Sequence, residues 1–150
     1  MNFFLQLGKN RIFLVTLIAW CIAQCIKVFI GVIRERRFNF KWLVGTGGMP
    51  SSHCAGAAAL ATSVGLEFGF DSGIFAVAFV FAIVTMFDAQ GSRRAVGKQA
   101  GLLNKMFEDI YFKKPIKEER LIELIGHTPV QVLAGAVVGA LLGYYLYLYI

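Results

Sequence analysis

The stretch Ile74-Phe75-Ala76-Val77-Ala78-Phe79-Val80-Phe81-Ala82-Ile83-Val84-Thr85-Met86-Phe87 runs without a charge until Asp88. Such a run belongs in a protein core or in a bilayer, and the rest of the chain decides which. Of its 150 residues, 57% are hydrophobic and 16% charged, with a mean hydropathy of +0.65. Soluble domains carry about 25% charged residues. A span needs about 20 apolar residues, so three or four spans fill most of this chain and leave no room for a second domain. The composition excludes disorder, collagen and a disulfide scaffold. The expectation is one integral membrane domain over residues 1–150, an all-α bundle of about four transmembrane helices plus an interfacial amphipathic helix.

Outward from that run, Ile12 to Ile33 reads as the first span, broken only by Gln24 and Lys27 three residues apart on one helical face. Upstream of Ile74, an Ala- and Gly-rich helix starts near Ser51 and runs to about Leu66, with Glu67 and Asp71 marking a turn. Downstream, residues 91–127 form a long polar connection. Within it Leu102, Leu103, Met106, Phe107, Ile110 and Tyr111 recur at spacings of three and four, an amphipathic helix expected at the membrane surface. A second short helix is expected over Glu118 to Ile125. The last span opens at Thr128-Pro129, a capping residue followed by a first-turn proline, and ends among Tyr144, Tyr145, Tyr147 and Tyr149.

The net charge is +6, but the positives flank apolar spans, which points to topology or anionic lipid and not to nucleic acid. With four spans, the loops carrying Arg34, Arg36, Arg37 and Lys41 and carrying Arg93 to Arg120 share a side; the opposite side holds Lys9 and Arg11. The positive-inside rule then places those loops in the cytoplasm of a bacterial-type cytoplasmic membrane. Cys21, Cys25 and Cys54 are dispersed and odd in number, which reads as apolar filler.

Polar residues gather at one set of span ends. Gly45, Gly47 and Gly48 precede Ser51, Ser52 and His53 at the start of the second helix. Asp88, Ser92, Arg93 and Arg94 close the third, His127 opens the fourth, and Lys27 lies inside the first. Two helix N-termini with Lys and Arg favour an anion. The chain's two histidines both fall here, suiting phosphate chemistry with one attacking and one protonating the leaving oxygen. Taken singly, each has a plainer reading: a turn at Gly47-Gly48-Met49-Pro50, a snorkelling Lys27, a topology signal in Arg93-Arg94, capping histidines and a structural ion pair for Asp88. Their joint placement favours the functional one.

These strings resemble the type-2 phosphatidic-acid phosphatase and vanadium haloperoxidase superfamily, in its small divergent membrane branch. Pro50-Ser51-Ser52-His53 matches its PSGH motif, with Ser52 in the glycine position. Lys27 and Arg34 keep the spacing of KxxxxxxRP, with Glu35 in place of proline. Ser92-Arg93 opens SRxxxxxHxxxD, but Gln99 stands where its histidine would fall. Instead, His127-Thr128-Pro129-Val130-Gln131 reproduces HxxxD with Gln in the last place. The resemblance implies a metal-independent phosphatase without a cofactor, acting on a lipid phosphate or isoprenyl diphosphate through a phosphohistidine. It implies that His127 attacks, His53 protonates, and Lys27, Ser51, Ser52, Gly48 and Arg93 or Arg94 hold phosphate. Gln131 supports His127 by accepting a hydrogen bond without supplying charge, and Asp88 is a candidate for the missing negative charge.

Two alternatives stand beside this reading. One is a lipid-phosphate-binding membrane protein with weak or no turnover. The other is a small transporter, for which no span carries a polar stripe. Gly135, Gly139 and Gly143 also repeat at four along the last span. That strip fits either a homodimer by GxxxG packing or the small-residue second helix, where Ala55, Ala59 and Ser63 share the spacing.

Overall fold

A computed structural model describes residues 2–40, 42, 48–110 and 127–150, with all their side chains except those of 92–95, 98 and 107–110. Among these residues the chain is entirely helical: α1 Phe3–Leu7, α2 Arg11–Glu35, α3 Ser52–Phe68, α4 Gly73–Gln90, α5 Ser92–Ile110 and α6 Pro129–Tyr149. The short helix expected at Glu118 to Ile125 lies outside the described residues.

Among the described residues three helices, α2, α4 and α6, are long and apolar enough to cross a membrane; the expected fourth span is not confirmed. The helix that falls short is α3, with 17 residues. At 1.5 Å per residue it reaches about 26 Å, less than the roughly 30 Å of a hydrocarbon core. Its small side chains suit it to the interior of the bundle. It lies at the centre, packed against α2, α4 and above all α6. Ala55, Ala57, Ala58, Ala59 and Ala61 are buried there, while the large side chains of α4 face outward.

The α3–α6 contact follows from the glycine strip. A methyl group built on Gly139 would overlap the Ala55 backbone, one on Gly135 would lie 3.1 Å from the Cys54 Cβ, and one on Gly143 would lie 2.9 Å from the Ala59 Cα. Only side chains reduced to hydrogen let the two backbones come this close. The strip is therefore filled within the chain, by α3.

Local signals place the ends. Asn10, Ser51, Ser72 and Thr128 cap α2, α3, α4 and α6, each accepting a hydrogen bond from a first-turn N–H. Helix α2 continues through Glu35 and stops at Arg36 in the left-handed region (φ 50°). Arg34, expected in a loop, is thus in the last turn of α2, because the apolar run up to Ile33 carries the helix past it. Helix α5 starts at Ser92, well ahead of the amphipathic repeat, after a one-residue break at Gly91. At the end of the bundle opposite His127, Arg11 stacks 4.1 Å over the Tyr147 ring and donates to the Tyr147 carbonyl. The Tyr147 hydroxyl donates to Glu67. That cluster ties the start of α2 to the ends of α3 and α6, so the start of the shorter α3 falls at the level of Lys27, inside α2, and not at the end of α2.

Candidate active site

Two backbone hydrogen bonds assemble that level. The Ser51 N–H donates to the Gln131 carbonyl (3.2 Å), joining the starts of α3 and α6, and the His127 N–H donates to the Ala89 carbonyl (3.0 Å), joining α6 to the end of α4. Cys54, Ala89 and Val132, with Met86 against them, form an apolar floor beneath. Ala89 gave no signal as a sequence; its carbonyl matters only because α4 ends there.

His127 sits just before α6 and is 3% exposed. Its Nδ1 lies 3.3 Å from Gln131 Oε1, and the same oxygen accepts from the Thr128 N–H at 3.0 Å. Thr128 Oγ1 in turn accepts from the Gln131 N–H at 3.3 Å, completing a capping box. The backbone donor fixes which end of the Gln131 amide faces His127, since an NH2 group there would oppose an N–H. A carbonyl oxygen opposite Nδ1 favours the proton on Nδ1, which in the neutral ring leaves the lone pair on Nε2. The Gln131 oxygen thus stands where Nδ1 can donate to it.

His53, in the first turn of α3, is exposed. Its ring centroid lies 6.5 Å from that of His127, with the rings tilted by 55°. Lys27 is 8% exposed. A methyl group on Gly48 would lie 3.0 Å from its Cγ, and Gly48 has φ +87°, so glycine lets the chain approach the Lys27 stem. Gly48 therefore packs on Lys27, a use the sequence did not announce. Ser51 and Ser52 are buried, and the Ser51 Oγ is engaged as the α3 cap, accepting from the Cys54 N–H at 3.4 Å.

Asp88 is exposed in the last turn of α4, beside Ala89. The backbone of Ser92, Arg93 and Arg94 opens α5 at this same end of α4, while their side chains, like residues 45–47, lie outside the description. The structure brings together His53, His127, Gln131 and Ser51, and separately Lys27 with Gly48. Among the described residues no cluster of three or more His, Cys, Asp or Glu side chains could hold a metal ion.

A family model described as the divergent PAP2 family matches residues 8–142. The chain belongs to that family. It is also 43% identical over 149 residues to YuiD of Bacillus subtilis (strain 168), named an uncharacterized membrane protein, with 92% of this chain and 94% of that one covered. No solved structure matches. The three apolar helices and this relative make the chain a PAP2-related integral membrane protein.

Proposed function

We propose that the chain is a metal-independent phosphatase of the membrane, acting on a lipid phosphate or isoprenyl diphosphate. The observation that carries the reading is the pair of histidines, with His127 Nδ1 facing the Gln131 side-chain carbonyl and the His53 ring centroid 6.5 Å from that of His127. His127 Nε2 attacks phosphorus, the bond to the lipid oxygen breaks, and that oxygen takes a proton from His53. Water then attacks the phosphohistidine and gives its proton to His53, the P–N bond breaks, and phosphate leaves. Lys27 and the two adjoining helix starts favour the anion; Arg93 or Arg94 completes its binding. The site lies at helix ends, where a lipid headgroup resides, in the cytoplasmic leaflet under the positive-inside rule.

A second reading, a lipid-phosphate binder with little turnover, is favoured by Gln131. A neutral amide orients His127 but does not stabilise the imidazolium as a carboxylate would. The test is phosphate release by the purified protein from phosphatidic acid, phosphatidylglycerophosphate and polyprenyl diphosphate, with and without a chelator. Release that survives the chelator and is lost in His127→Ala supports the enzyme. Binding without release, with Gln131→Asp restoring turnover, supports the binder. Ion flux in liposomes without release from any lipid tested would move the chain to the transporter class.

A further inference from the structure

Helix α5 is packed in the reverse of a soluble amphipathic helix. Among its described side chains, those it buries are small, Gly97 and Ala100, and its main contact is with α4. Its large apolar side chains face away: Val96, Leu102, Leu103 and Met106 are exposed, Leu102 at 64% and Met106 at 55%. At 3.6 residues per turn these four occupy about a third of the circumference. By register Gly97, Ala100, Asn104 and Lys105 lie outside that arc. An apolar arc turned away from its own protein is covered by something else.

Chain continuity names the cover. Helix α5 follows a membrane span after one residue, Gly91, so it starts at the membrane boundary. In the last turn of that span Phe87 is 72% exposed, so apolar surface reaches the level at which α5 begins. We propose that α5 lies along the bilayer surface with Val96, Leu102, Leu103 and Met106 in the acyl-chain boundary. Its contact with α4 then pins the bundle to that plane. The start of α5, Ser92-Arg93-Arg94, is thereby held at the height of lipid phosphates. This placement rests on the chain being a membrane protein and stands whether or not the site turns over.

The test is a depth measurement that needs no activity. Single cysteines at 101–106, in a chain with Cys21, Cys25 and Cys54 replaced by Ser, carry nitroxides in phosphatidylethanolamine/phosphatidylglycerol proteoliposomes. Collision with oxygen and with a water-soluble nickel chelate is then read. Positions 102, 103 and 106 are expected to favour oxygen several-fold over position 105. Nickel access at 103 and 106 equal to that at 105 would place the arc in water. Shielding from both reagents would place it against protein, another segment of the chain or a second copy. Either result overturns the proposal. In the unaltered chain, a phospholipid with an acyl-chain diazirine should cross-link within 102–106. Adducts confined to the outward side chains of α4, with none in α5, would overturn it equally.

Discussion

Replacing Gly139 by Ala probes the contact that sets the site. Alone in a helix, Gly→Ala stabilises by about 0.5–1 kcal/mol. Here the added methyl meets the Ala55 carbonyl oxygen, Cα and carbonyl carbon. These are atoms of a hydrogen-bonded helix, which cannot rotate away as a side-chain tip could. Overpacking a tight core costs about 1–3 kcal/mol, so the net effect at Gly139 is a loss of about 1–2 kcal/mol. Gly143, where the nearest atom is the Ala59 Cα at 2.9 Å, should lose less. Gly73 has nothing within 4 Å of an added methyl and should be neutral or slightly stabilised. Thermal unfolding in detergent, followed by circular dichroism, reads this order. Activity should fall with stability at Gly139, because the same contact holds α3 and α6, and therefore His53 and His127, in register. A displacement of about 1 Å can cost 100-fold in rate. Gly139→Leu should exaggerate both losses with no change in detergent particle mass. A Gly139→Ala variant as stable as Gly73→Ala, or a Gly139→Leu particle of half the mass, would refute the intramolecular packing.

Other predictions are brief. Gln131→Glu keeps the capping geometry and adds a carboxylate that stabilises protonated His127, so the acidic limb of the pH–rate profile should move to higher pH; Gln131→Ala should lower kcat with a smaller change in KM. Vanadate, which takes the five-coordinate geometry of phosphoryl transfer, should inhibit, and a chelator should leave the rate unchanged. Arg11→Ala removes the stacking on Tyr147 and should lower stability by about 0.5–2 kcal/mol without a specific effect on turnover, as measured by unfolding and by activity per folded molecule.

Much of this architecture is legible in the chain because membrane helices announce themselves by uninterrupted apolarity. The Thr128-Pro129 start was readable from capping chemistry, and the resemblance to HxxxD pointed to Gln131 beside His127. The central place of α3 was not readable, because its apolar run reads like that of any other span. Its small residues serve a central packing role that only its neighbours reveal. The extension of α2 through Arg34 escaped notice because charge at a helix end looks like loop. The Ala89 carbonyl and the packing of Gly48 on Lys27 are tertiary facts with no local pattern. The split motif aligned His127 with a catalytic position. Its approach to His53 needed the glycine strip, whose two readings the sequence left open.

The central claim is that His127 becomes phosphorylated. The direct measurement is a rapid quench of the purified protein with lipid substrate labelled in its phosphate, followed by assay for protein-bound label. The account predicts label stable in base and labile in acid, mapping to His127 and absent from His127→Ala. In His53→Ala, formation and breakdown of the label should both be slow. Turnover with no protein-bound label at any time, or label that persists in His127→Ala, would contradict it.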